Sequence, residues 1–251
     1  RSNLVIAGSN FIFSHINENY REFFLEKKRK LLVIYRGINT DYFNPRNVSK
    51  PKIDFLVNQW KINRDNFIIL MPGRLTNWKG QKLFIEAIRL LSLKDDIKNF
   101  TAIILGDEQG RNVYKKQLMG LVEKYRLSKT VKFINSCNEM PVAYKIANLV
   151  VSASIEPEAF GRVSVEAQSM CLPIIASNIG GSRETIINEK TGLLFDSGKV
   201  EMLTDALYKF VNMDDKILHS TGLQGRKNIL KKFDVEKMCN STFTEYKKLL
   251  Q

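Results

Sequence analysis

A chain of 251 residues with 44% hydrophobic content can bury a substantial core, as one large domain or two small ones. Its longest uncharged apolar runs, FIILM and LVVSASI, have strand length and fall far short of a membrane span, and no signal peptide is visible. The net charge of +13 invites a polyanion partner, but the basic residues come as scattered short clusters with no interleaved aromatics and no zinc-finger or RNP pattern, so no specific nucleic-acid site is expected.

In chain order, LVIA (4–7) and LLVIY (31–35) read as strands around a helical stretch, and the loop GINTDYFNP puts a boundary near Pro45. Two strands and one helix cannot bury a core alone, so 1–45 is expected to be the last piece of another α/β domain whose beginning is absent. The cluster Lys27-Lys28-Arg29-Lys30 in this segment is a candidate patch for an anionic membrane surface. Strand-like runs then recur as FIILM (67–71), TAIIL (101–105), VKFI (131–134), LVVSA (149–153), PIIA (173–176) and GLLF (192–195). Between the first two, NWKGQKLFIEAIRLL carries Leu83, Phe84, Ala87, Ile88 and Leu91 on one helical stripe, and 112–126, 139–147 and 199–211 also read as helices. Strands apolar on both faces and alternating with helices predict an α/β fold, a Rossmann-like parallel sheet with helices on both faces, from about Phe67 to Phe195. The tail from about Met202 to Gln251 reads as helical throughout. The expected units are 1–45, 46–232 and a terminal crossover helix over 233–251.

Two segments carry candidate chemistry. After FIILM come Gly73, Arg74 and Lys79, in the strand-to-helix loop where ligands bind in a doubly wound sheet. A guanidinium and an ammonium bracketing a helix N-terminus suit a diphosphate, although two solvated cations beside a turn would look the same. There is no Walker A or GxGxxG spacing here. In EPEAFGRVSVEA, Gly161 opens a helix whose first N–H groups, to Val163, can hold a phosphate. Glu158 precedes that helix and Glu166 lies inside it, so their carboxylates can accept hydrogen bonds from hydroxyls at opposite ends of a phosphorylated sugar-like ligand. Taken singly, they would read as a loop acid and an exposed helix glutamate. A carboxylate pair also suggests glycoside hydrolysis, but neither environment looks apolar enough to raise an acid's pKa, and the cations point to phosphate. His15 and His219 lie in no motif. Cys137, Cys171 and Cys239 have no metal-ligand spacing and read as reduced thiols of a cytosolic protein, with no metal site expected.

The ordered string GR-x4-KG, the E-x7-E pair in EAFGRVSVE, PIIASNIGGSRETI and TGLLF resembles the nucleotide-sugar domain of family 4 retaining glycosyltransferases with the GT-B fold. The likeness covers essentially the whole chain. SCNEMPVAYKIANLVVSASIEPEAFGRVSVEAQSM is most similar to bacterial envelope-polysaccharide or lipopolysaccharide-type members. The resemblance implies that Arg74 and Lys79 neutralise the leaving diphosphate and that Glu158 contacts the transferred sugar. It further implies that the amides around Phe160 and Gly161 position that sugar, and that those of Arg162 and Val163 meet the phosphates. Glu166 would bind the ribose, and the loop Cys137–Met140 would flank the base. Gly180-Gly181 would allow close backbone approach. Asn135-Ser136 and Cys171 stand where many members have glycine.

The resemblance also implies a UDP-, GDP- or ADP-sugar donor, a saccharide or lipid-linked acceptor, no cofactor or metal, and a cytoplasmic location on or near the inner face of the membrane. The terminal helix would dock on the absent domain, leaving Phe233, Phe243, Tyr246 and Leu249 partly without partners. The chain alone would then bind nucleotide without transferring sugar. A truncated, inactive nucleotide-binding GT-B fragment and a polyanion-binding protein are the competing readings.

Overall fold

Ile68, Ile69, Leu70 and Met71 are consecutive and all buried, which a strand permits only when both of its faces are covered. In the computed structural model, which describes residues 3–25, 30–110 and 112–250, helices supply both covers. The Lys27–Lys30 cluster lies outside the described residues except for Lys30.

The chain begins with β1 (Leu4–Ala7), α1 (Asn10–Leu25) and β2 (Lys30–Val33), the two strands forming a small parallel sheet of their own. The helix α2 (Lys50–Trp60) follows, in a stretch to which the sequence reading assigns no element. Ser49 and Pro51 mark its start, and it buries Leu56, Val57 and Trp60.

Six strands then build the main sheet: β3 (Phe67–Pro72), β4 (Phe100–Leu105), β5 (Val131–Ile134), β6 (Leu149–Ser152), β7 (Ile174–Ser177) and β8 (Gly192–Phe195). All pairings are parallel, in the order β5-β4-β3-β6-β7-β8. On one face, α3 (Gln81–Leu91), α4 (Asn112–Lys124) and α8 (Val200–Val211) pack against Ile69, Met71, Ala102, Ile104 and Val151. On the other, α2, α5 (Met140–Ile146), α6 (Arg162–Ser169) and the end of α9 (Asp215–Lys232) cover Ile68, Leu70, Ile103, Leu105 and Val150. A short helix, α7 (Ser182–Thr185), follows β7. The expected parallel α/β sheet with helices on both faces is the observed one.

The topology positions a ligand crevice. The chain leaves β3 to add β4 and β5 on one side, then returns to place β6 on the other. The loops leaving β3 and β6 therefore diverge at the C-terminal edge, the place where open α/β sheets bind ligands.

The last helix, α10 (Val235–Leu250), contains no buried residue. It lies beside the first segment: Lys30 Nζ sits 2.5 Å from Glu245 Oε2, and Thr40 Oγ1 donates to Asp234 Oδ2 at 2.6 Å. Phe243, Tyr246 and Leu249 are exposed, but Phe233 is not. Expected to lack a partner, Phe233 is buried instead, with its ring edge-to-face with Tyr35 at 5.2 Å and Phe160 at 5.7 Å. Backbone bonds from Ile38 N to Phe233 O and from Val235 N to Ile38 O pin the crossing that turns this ring inward.

Candidate functional site

The two loops at the crevice are bound to each other before any ligand is considered. Gly80 has φ +76°, and a Cβ there would lie 1.9 Å from the carbonyl oxygen of Ala153, so only glycine lets the β3 loop approach the end of β6 this closely. Ile155 N–H donates to Trp78 O at 2.8 Å across the same contact. On its other side the β3 loop is tied to β4, Gly73 N–H donating to Leu105 O and Leu75 N–H to Asp107 O. Arg74 is left exposed, its carbonyl held by the buried Gln81 amide at 2.8 Å.

Lys79 ends a short 3-10 turn, Asn77–Lys79, and faces the β6 loop. Its Nζ lies 2.8 Å from Glu158 Oε1, and both side chains are almost buried, at 13% and 12% exposure. Ser154 Oγ donates to the same carboxylate oxygen at 2.5 Å, and the Lys79 ammonium sits 4.4 Å from the centre of the Trp78 ring. The lysine and the acid, which the sequence reading sends to different parts of a ligand, are thus partners of each other. The Glu158 backbone is fixed as well, accepting a bond from Gly181 N–H at 2.8 Å, so the Gly-Gly pair reaches this loop.

Gly161, with φ +83°, turns the chain into α6. Arg162 and Val163 head the helix, where amides have no acceptor within it and the macrodipole favours an anion. Glu166 is buried, contrary to its reading in isolation as an exposed helix residue. Its carboxylate accepts hydrogen bonds from Tyr144 Oη at 2.8 Å and from Arg162 Nη2 at 3.0 Å. Burial raises its pKa, while Tyr144 and Arg162 pull against that rise; the buried Tyr144 hydroxyl is pushed well above the usual phenol range. The expectation that neither acid lies in a setting able to raise its pKa fails at Glu166, because α5 and α6 close over it. The case against hydrolysis then rests on the cations alone.

Gly73, Arg74, Lys79, Cys137, Met140, Glu158, Phe160, Gly161, Arg162, Val163 and Glu166 all line one cleft of about 640 Å³. Every candidate residue of the sequence reading is brought to this single place. The cleft is also lined by residues to which the sequence assigns no role, among them Arg36, Trp78 and Asp107. Arg36 enters from the segment after β2, and neither spacing nor motif announces it; Trp78 and Asp107 flank recognisable strand ends. Tyr144, the partner of Glu166, hides in the apolar pattern of α5. Asn135 and Ser136 have no positive φ and so adopt no glycine-requiring backbone, and Asn135 Oδ1 accepts from Lys115 Nζ at 2.8 Å. Cys171 does occupy the left-handed region, at φ +58°, well away from the cleft. Among the described residues no cluster of His, Cys, Asp and Glu is placed to hold a metal, and no helix is long and apolar enough to cross a membrane.

Known proteins share this fold. A glycosyltransferase from Rickettsia africae superposes with a TM-score of 0.91 at 31% identity, over 98% of this chain and 63% of that one. HepE from Anabaena, solved in complex with UDP-glucose, superposes with a TM-score of 0.82 at 26% identity, over 98% of this chain and 64% of that one. The capsular polysaccharide biosynthesis glycosyltransferase CapM of Staphylococcus aureus is 25% identical over 236 residues, 88% of this chain and 58% of CapM. The chain therefore spans about three-fifths of the length of these relatives. Its six-stranded α/β unit is that of GT-B glycosyltransferases, and residues 52–228 match the family described as glycosyl transferases group 1. The chain belongs to that family.

Proposed function

We propose that the protein containing this chain is a family 4 retaining glycosyltransferase, taking a sugar from a nucleoside-diphosphate sugar to a saccharide or lipid-linked acceptor in cell-envelope polysaccharide synthesis. The observation that carries the reading is the meeting of Arg74, Lys79, the N-terminus of α6, Glu158 and Glu166 in one cleft at the switch point of the sheet. Breaking the anomeric C–O bond builds positive charge on the sugar and negative charge on the departing diphosphate. Arg74 and the amides of Arg162 and Val163 face that negative charge without having to reorganise, Lys79 joins them by leaving Glu158, and a preorganised donor of this kind is worth on the order of 3 kcal/mol of barrier. No metal is needed in this scheme.

Glu158, at the mouth of β6, receives hydroxyls of the transferred sugar once the diphosphate draws Lys79 toward itself. Glu166, held by Tyr144 and Arg162, receives the ribose hydroxyls, and Cys137 and Met140 flank the base. Residues 1–45 belong, in this reading, to the domain that presents the acceptor, and the enzyme works at the cytoplasmic face of the membrane. HepE binding UDP-glucose and the capsular role of CapM lend support to the donor class and to the envelope setting. Titration with UDP, GDP and ADP, each against its nucleoside, tests the reading. A diphosphate should bind far more tightly than its nucleoside; equal affinities, or no binding of any of the three, would refute it.

A further inference from the structure

A second cavity, of about 670 Å³, lies at the opposite edge of the sheet from the cleft and shares no residue with it. Its floor is formed by Ala147, just before β6, and by Met170, Cys171 and Leu172, just before β7, so it opens at the N-terminal ends of these strands. Arg46, Lys145, Arg226 and His219 stand around it, and no carboxylate lines it. Among the described residues no ion pair involves Arg46, Lys145 or Arg226.

Arg226 is fixed by neutral groups only. It donates to the carbonyls of Phe43 at 2.9 Å, of Thr40 at 3.4 Å and of Ser169, which holds its guanidinium at the pocket wall while leaving donors to spare. Beside these cations the wall is apolar, and Leu223 and Leu230, about half exposed, form its rim on α9. The pocket's depth is set by a close packing of α9 on the Cys171 turn: a Cβ at Gly222 would lie 1.9 Å from Cys171 O. Burial raises the Cys171 thiol pKa, and the charges that oppose the rise are those of Arg226, Lys145 and Arg46. All three cations therefore act on one small volume.

A built pocket with three uncompensated cations and a greasy wall is complementary to an amphipathic anion. We propose that this pocket is a second ligand site, independent of the cleft, that binds a phosphate group carrying an alkyl portion. Arg226 and Lys145 grip the phosphate, Arg46 closes over it, and the alkyl portion runs along Met170, Leu172, Leu223 and Leu230. The phosphate could be brought by a soluble metabolite or by a lipid headgroup at a bilayer surface, and experiment separates the two sources.

Calorimetric titration of the 251-residue chain with hexyl phosphate is the direct test, with inorganic phosphate beside it to isolate the alkyl contribution. Hexyl phosphate should bind more tightly than phosphate. The double variant Arg46→Gln/Lys145→Gln, both exposed positions, should weaken it about tenfold or more through loss of charge-assisted contacts. Arg74→Ala, in the cleft, should leave it unchanged. Co-sedimentation with phosphatidylglycerol/phosphatidylcholine vesicles, lost in the double variant, would assign the phosphate to a lipid; hexyl phosphate binding without vesicle binding would assign it to a soluble ligand. No binding of hexyl phosphate, or binding that falls in Arg74→Ala and not in the double variant, overturns the proposal.

Discussion

An incoming diphosphate meets not a free lysine but a Lys79–Glu158 pair at 2.8 Å whose charges cancel. Replacing Glu158 by Gln keeps the shape and the oxygen that accepts from Ser154 Oγ but removes the negative charge. Lys79 then presents its full charge to the ligand, and the repulsion between Glu158 and the phosphates disappears. Two unit charges about 5 Å apart interact by about 3 kcal/mol at an effective dielectric of 20. Water and counterions at the open side of the cleft reduce the usable part to about 1–2 kcal/mol, roughly tenfold in affinity. Glu158→Gln should therefore bind the bare nucleoside diphosphate about tenfold more tightly and the nucleoside unchanged. The variant is also expected to lose stability without ligand, because breaking a nearly buried pair strands a charge, and to regain it when the diphosphate is added. Isothermal calorimetry with thermal unfolding as a folding control measures both effects. Diphosphate affinity that is unchanged or weaker in a folded Glu158→Gln protein would refute the idea that the pair competes with the ligand.

Arg74→Ala should weaken diphosphate binding roughly ten- to a hundredfold and spare the nucleoside, since the guanidinium is exposed and forms no ion pair among the described residues; equal losses for both ligands would count against a phosphate role. Glu166 has a folded pKa above its unfolded value, so the native state holds its proton longer and stability falls as pH rises from the ordinary carboxylate value through the raised one. Glu166→Gln should abolish that fall, and urea midpoints from acidic to neutral pH should show the variant gaining on the wild type as pH rises; a difference independent of pH would show that burial costs the carboxylate nothing. Gly80→Ala should destabilise the fold by about 3 kcal/mol, because the new methyl meets the Ala153 carbonyl at a backbone φ of +76°. A melting temperature within a degree or so of wild type would mean that the two loops are not locked together as described.

The sequence by itself determined the sheet and the loops that carry the candidate site. Eight apolar runs became the eight strands of the described residues, with ends shifted by up to two residues, and the central strands, buried on both faces, are written as nearly continuous apolar runs such as FIILM. Gly73, Arg74 and Lys79 and the stretch from Glu158 to Glu166 were legible because loops after parallel strands and helix N-termini are places where charge and glycine have local reasons to occur. What those charges do to one another was decided by tertiary structure. No spacing rule pairs Lys79 with Glu158, seventy-nine positions later, or places Tyr144 over Glu166 so that burial raises a carboxylate that reads as exposed. The inward turn of Phe233 depends on the crossing at Ile38, and the entry of Arg36 into the cleft on where the first segment lies against the sheet. The cation-lined pocket behind the sheet gathers Arg46, Lys145 and Arg226 from three separate elements. Charges distant in sequence interact through space and dielectric, and both of those quantities exist only once the chain has packed.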